Sequence, residues 1–135
     1  MLIIGAVTIA VVVAFLIDRR RPARPTNPTA TVPRQLDRGD FTRPEAPWLV
    51  AVFTSATCDS CAGVLERAGH LDSPDVAVQE LEVFRDASLH DRYGIDTVPT
   101  LVVADTDGVV RRWFLGPVTS TALWSAVAEL RAPAE

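Results

Sequence analysis

The run from Trp48 to Thr54 (WLVAVFT) has no charged residue and ends shortly before the chain's two cysteines, Cys58 and Cys61. It is short, rich in β-branched and aromatic residues, and bounded by Pro47 and a Ser/Thr cluster. A segment of that kind is predicted to be a buried central strand. The downstream chain must then be arranged to cover both of its faces.

The spacing downstream predicts alternating elements. From Cys58 to His70 the apolar positions Val64, Leu65, Ala68 and Leu71 follow a helical period, and Asp72-Ser73-Pro74 breaks the chain. Val76 to Phe84 alternates like a strand, with room for an irregularity at Gln79-Glu80. Ala87 to Tyr93 is predicted as a short helix stopped by Gly94. Thr100 to Ala104 and Val109 to Leu115 read as two strands around the turn Asp105-Thr106-Asp107-Gly108. Thr119 or Ser120 caps a last helix with Leu123, Val127 and Leu130 on its apolar stripe. Strand, helix, strand implies a parallel pair with a helical crossover, and the later hairpin adds antiparallel strands to the same sheet.

The N-terminal third differs in kind. Leu2 to Ile17 carries no charge, and as a helix it would span roughly 24 Å, slightly less than a bilayer core of about 30 Å. Snorkelling by Arg19, Arg20 and Arg21 covers the shortfall. A cleaved signal peptide and a buried core helix are the alternatives. The former wants basic residues before the apolar run rather than after it. Residues 1–18 are therefore expected to be a transmembrane anchor. Arg19, Arg20, Arg21 and Arg24 flank its C-terminal side, which favours a single-pass protein with its soluble domain facing the cytoplasm. An extracytoplasmic domain is the alternative. Residues 19–47, with six prolines from Pro22 to Pro47, read as a basic, extended spacer, and Leu36 to Phe41 as a short edge strand where the spacer ends. Residues 48–132 form the expected domain. Asp18 to Glu45 holds seven Arg and four acidic residues, whereas the chain from Trp48 on holds six Arg and thirteen acidic ones. An acidic domain gives no electrostatic reason to expect nucleic acid as a partner.

Two cysteines exclude a framework of several disulfides. Placed where a strand gives way to a helix, Cys58 would feel the unpaired N–H groups and dipole of the helix N-terminus, which favour a thiolate. Three residues on, Cys61 lies within reach of Cys58 and deeper in the helix. Cys58 is thus the expected nucleophile and Cys61 the resolving thiol. A zinc site would need four ligands, and His70 and His90 lack finger-like spacing. An inert disulfide across so short a loop would restrain little chain. His70 and His90 are expected to be solvated helix residues without a role. No metal and no cofactor is expected.

Over Trp48 to Leu130 the chain resembles the thioredoxin family. The resemblance rests on the strand before Cys58-Asp59-Ser60-Cys61, on Tyr93-Gly94-Ile95-Asp96-Thr97-Val98-Pro99-Thr100, and on the hairpin with Gly108 and then Gly116. It implies an α/β, thioredoxin-like fold, a central mixed sheet flanked by helices, after the transmembrane helix and Pro-rich linker. It further implies a cis Val98–Pro99 bond packed against the disulfide, with Val98 and Pro99 binding substrate through the Val98 backbone. The sequence departs from the family pattern at four places. Thr57 stands for a Trp, and Asp59-Ser60 for Gly-Pro, so that a carboxylate lies beside the thiol and opposes the thiolate. The family's buried acid corresponds to Val52 and its companion lysine to about Glu80. A water, or Glu80 turned inward, would have to accept the proton of the resolving thiol. The implied activity is that of a protein-disulfide oxidoreductase, its partners being a disulfide-containing protein substrate, a redox donor and, through residues 2–17, the membrane. A thioredoxin-like binding module or a metal-delivery protein is the alternative.

Overall fold

In a computed structural model, whose described residues are 31–133, WLVAVFT forms strand β1 (Trp48–Thr54). The expected membrane anchor and the first part of the spacer lie outside the described residues. β1 is followed by α1 (Cys61–Gly69), β2 (Val76–Glu82), α2 (Ala87–Tyr93), β3 (Thr100–Ala104), β4 (Val110–Leu115) and α3 (Ser120–Arg131). The strands form one mixed sheet in the order β2-β1-β3-β4. β2 lies parallel to β1, β3 antiparallel to β1, and β4 antiparallel to β3.

The absence of polar alternation in β1 follows from this position. Val50 and Val52 point to one face, where they pack with Val64 and Ala68 of α1 and Leu123 and Val127 of α3. Leu49, Ala51 and Phe53 point to the other, where Tyr93 of α2 closes the core. A strand covered on both faces has no side free for polar residues. Its parallel partner β2 lies at the sheet edge, and there polar residues are tolerated. Gln79 and Glu80 keep the pairing register without a bulge, on opposite faces. Gln79 Oε1 accepts the Thr42 N–H at 2.7 Å, and Glu80 Oε1 accepts the Thr54 hydroxyl at 2.8 Å.

The domain reaches further toward the N-terminus than the composition of residues 19–47 leads one to expect. Leu36 (1% exposed), Phe41 and Ala46 belong to the core on the α2 side. Leu36 to Phe41 is not an edge strand. Arg38–Asp40 forms a 3-10 turn capped by Asp37, and only Gln35 bridges the sheet, opposite Val109. The reason is polar. The buried Arg38 guanidinium donates to the carbonyls of Ala46 (2.9 Å), Asp105 (3.0 Å) and Arg43 (3.2 Å), which requires the backbone to curl around it. The Tyr93 hydroxyl adds a second tie, donating to Asp40 and accepting the Asp37 N–H. Gly108 (φ +79°) makes the close approach possible, because a Cβ there would lie 2.0 Å from the Leu36 carbonyl oxygen.

The helix ends follow local rules. Gly94 takes a left-handed conformation (φ +64°) after α2, and the Thr119 hydroxyl caps α3 by accepting the Ala122 N–H. His90, expected to be solvated, is buried at 3% exposure. Its Nε2 donates to the Leu81 carbonyl at 2.8 Å and its ring meets Phe53 edge-on. His70 is exposed, as expected of it. Among the described residues no helix is long and apolar enough to cross a membrane.

If Pro33 to Pro47 is an integral part of the domain, Leu36→Ala should destabilise it by about 2–5 kcal/mol, the usual cost of emptying a core leucine site. Denaturant unfolding of the chain measures this. A change under about 0.5 kcal/mol, the surface-substitution range, would show that the segment folds independently.

Candidate functional site

β1 and β2 run in the same direction, so both end at one edge of the sheet; the antiparallel β3 begins there. Three loops therefore meet at this edge: residues 55–60 after β1, residues 83–86 after β2, and the Thr97-Val98-Pro99 entry to β3. Of the sequence-predicted residues, Cys58 falls on the first, Val98 and Pro99 on the third, and Cys61 opens α1 directly after the first.

Cys58 and Cys61 are joined by a disulfide, with Cα atoms 5.5 Å apart. Their exposures differ. Cys58 is half-buried, whereas Cys61 is 3% exposed. α1 begins at Cys61 rather than at Cys58, with Ser60 as its N-cap residue. Cys58 thus precedes the first helical turn, held by its own N–H to the Ser55 carbonyl (3.1 Å) and by its carbonyl to the Cys61 N–H (3.4 Å). Ser60 Oγ lies 3.7 Å from Cys58 Sγ. Asp59 is exposed to solvent beside the pair.

The Val98–Pro99 peptide bond is cis. Thr100, the next residue, pairs with Phe53, which fixes this bond at the sheet edge from which the cysteine loop leaves. Pro99 is buried and its carbonyl accepts the Gly116 N–H at 2.8 Å. Val98 is half-buried, and among the described residues neither its N–H nor its carbonyl has a backbone partner. Backbone N–H and carbonyl groups left open beside the end of a strand are suited to pairing with an extended segment.

Val52, where the resemblance implies a buried acid, is completely buried and apolar. Glu80, its register partner on β2, is about one third exposed at 33% and is shared between the Thr54 hydroxyl and Arg85. Among the described residues no group of three or more His, Cys, Asp and Glu side chains is placed to hold a metal ion.

Glu82 is a site residue that the sequence leaves unmarked. It ends β2 opposite Thr54, and its carboxylate ties two loops together. Oε1 accepts the Ala56 N–H at 3.2 Å, and Oε2 accepts those of Phe84 at 2.9 Å and Arg85 at 3.1 Å. These bonds, that from Arg85 foremost, hold the Glu82 carboxyl below the usual carboxylate range despite a smaller opposing effect of desolvation. No spacing signal could have found it, since a glutamate at a strand end is ordinary in sequence. An open cleft of about 860 Å³ also exists, but it lies around Arg34, Asp37, Arg92, Tyr93 and Asp107 and includes neither cysteine.

No family model matches the chain, and no curated protein sequence matches it. Solved structures do. A point-mutant thioredoxin from Halobacterium salinarum NRC-1 superposes with a TM-score of 0.60 at 24% identity, covering 67% of this chain and 80% of that one. The oxidised form of mitochondrial thioredoxin 3 from Saccharomyces cerevisiae gives 0.53 at 22% identity over 63% of this chain and 80% of that one. A malarial protein gives 0.56 at 12% identity over 64% of this chain and 99% of that one. At these identities the likeness is one of fold: the domain is a thioredoxin-like α/β fold carrying a C-x-x-C pair at its strand-to-helix junction.

The Glu82 clamp has a direct signature in solution. Its carboxyl is depressed in the folded state, so the clamp is intact at neutral pH and is lost as pH falls through that depressed value. The amide signals of Ala56, Phe84 and Arg85 should therefore titrate together in NMR, with a midpoint below the ordinary Glu value of about 4.3. Three unrelated midpoints, or one above the ordinary value, would contradict the shared carboxylate.

Proposed function

We propose that this protein is a membrane-tethered thiol–disulfide oxidoreductase that exchanges electrons between its Cys58/Cys61 pair and disulfides of protein partners. The observation that carries the proposal is the asymmetric disulfide: Cys58 half-buried before the helix, Cys61 buried at its first residue. An inert disulfide gives no reason for such asymmetry. A two-step exchange needs it, because one sulfur must meet a large partner and the other must stay out of reach until the first has reacted.

In the reducing direction, the Cys58 thiolate attacks one sulfur of a substrate disulfide. A Cys58–substrate bond forms, the substrate S–S bond breaks, and the leaving thiolate takes up a proton. Cys61 then gives up its proton and attacks Cys58 Sγ. The Cys58–Cys61 bond forms and the second substrate thiolate departs and is protonated. Two electrons and two protons pass to the substrate, and a dithiol donor restores the reduced pair by the reverse sequence. Val98 serves by pairing its open backbone groups with the extended substrate segment, and Pro99 shapes the wall on which that segment lies. With Val52 in the place of an acid, the proton of Cys61 leaves without a carboxylate buried at that position.

Residues 2–17 tether the domain to the membrane, and the arginines that follow keep it on the cytoplasmic side. The substrate is then a disulfide in a membrane-associated or cytoplasmic protein.

Replacing Cys58 by Ser should abolish disulfide exchange, whereas Cys61→Ser should accumulate a covalent complex with the substrate that a reductant releases. Titration against glutathione redox buffers should place the pair between about −120 and −270 mV, the span of known exchange proteins. A fully active Cys58→Ser variant would sink the reading. For the orientation, a membrane-impermeant thiol reagent applied to intact cells after reduction should leave Cys58 unlabelled until the membrane is opened. Labelling from outside would assign the domain to the other face.

A further inference from the structure

The second of the three loops at the reactive edge carries the most exposed large apolar side chain of the domain. Phe84 is 78% exposed, against 44% for Trp124, the other exposed large apolar side chain among the described residues. Trp124 has an evident place, donating its indole N–H to the Arg67 carbonyl and meeting His70 edge-on. Among the described residues the Phe84 ring has no such partner, and an aromatic side chain left in water forgoes a substantial burial gain.

Its backbone, in contrast, is firmly set. The Glu82 carboxylate that accepts the Phe84 and Arg85 N–H groups also accepts the N–H of Ala56, two residues before Cys58. The last rung between the strands, Val83 N–H to the Thr54 carbonyl at 2.9 Å, lies directly behind this clamp. Arg85 folds away, donating to the Glu80 carbonyl and to Asp86, so the charge of the turn is directed along the sheet edge. What the turn offers outward is the phenyl ring.

We infer that the Val83–Asp86 turn is a substrate-docking arm of the redox site. Phe84 supplies an apolar contact for an apolar side chain flanking the disulfide of an extended protein segment, and Glu82 is a positioning residue that holds this contact in register with Cys58. The inference rests on the thiol–disulfide reading and deepens it by naming the substrate feature selected. The occupant is set by the place. The turn is tied to the Cys58 loop by the Glu82–Ala56 bond and lies at the sheet end that also holds Cys58 and the open backbone of Val98, so an extended segment docked there is offered pairing by Val98 and an apolar surface by Phe84. A small disulfide reaches the sulfur without covering the arm.

The test is single-turnover oxidation of the reduced full chain by insulin, a protein disulfide, and by glutathione disulfide, a small one. The readout is the ratio of the two second-order rate constants. Phe84→Ser should lower the insulin-to-glutathione ratio about tenfold, the scale of one buried aromatic contact. Glu82→Gln, which keeps one acceptor oxygen and loses the other, should lower it in the same sense. The double variant should fall no further than Phe84→Ser alone, since coupled residues are non-additive. Trp124→Ser should leave the ratio where it is. A ratio within twofold of the parent for Phe84→Ser overturns the docking arm, as does an equal fall for Trp124→Ser. Fully additive losses in the double variant overturn the role of Glu82. If the parent chain is oxidised by neither disulfide, the thiol–disulfide reading itself fails and the arm with it, a result distinct from the others.

Discussion

The rest of the structure depends on β1 having no polar face. Val50 and Val52 commit one side to α1 and α3, and Leu49, Ala51 and Phe53 commit the other to α2 and the Leu36–Ala46 segment. A strand so enclosed meets solvent only at its ends. At its C-terminal end the neighbours are the end of a parallel strand and the start of an antiparallel one, which gathers three loops into one edge. The disulfide is positioned by that arrangement, because Cys58 leaves the sheet where Thr54 ends and Cys61 begins the helix that returns over Val50 and Val52.

How much of this the sequence discloses depends on the range of the interaction involved. The strand and helix order was legible because periodicity and breakers are local: WLVAVFT, Asp72-Ser73-Pro74, Gly94 and Thr119 each act on their neighbours. The C-x-x-C pair and the Val98-Pro99 step were legible for the same reason. The misread segment was Pro33 to Pro47. Its prolines and charges have the composition of a spacer, yet Arg38 satisfies three distant or looped carbonyls and Leu36 lodges beneath Gly108. Those contacts are tertiary, and composition carries no record of them. His90 failed in the same way. Its position on α2 is local, but its burial depends on the Leu81 carbonyl and the Phe53 ring across the sheet edge. Glu82 is the most instructive omission, since its importance lies wholly in which backbone N–H groups come to surround it.

The edges of the sheet explain where an extended segment is directed. β2 is an edge strand, and its outward backbone groups are met from within the chain at several points. Ser73 exchanges bonds with Val76, and Arg43, at φ 46°, donates to the Val76 carbonyl at 3.0 Å. Arg85 donates to the Glu80 carbonyl, and Asp86 accepts the Glu82 N–H. β4, at the other edge, carries Arg111 and Arg112, which pair with Asp105 and Glu129. Occupied carbonyls and charged side chains are what blunts an edge against unwanted pairing. The backbone of Val98 has neither protection among the described residues, and it lies at the sheet end shared with Cys58. An arriving strand is therefore disfavoured along the long edges of the sheet, whereas at the end that holds the Cys58–Cys61 disulfide the backbone of Val98 is left open among the described residues. The arginines and carboxylates that guard the long edges thus leave that end as the place where, on the proposed function, a substrate segment would pair.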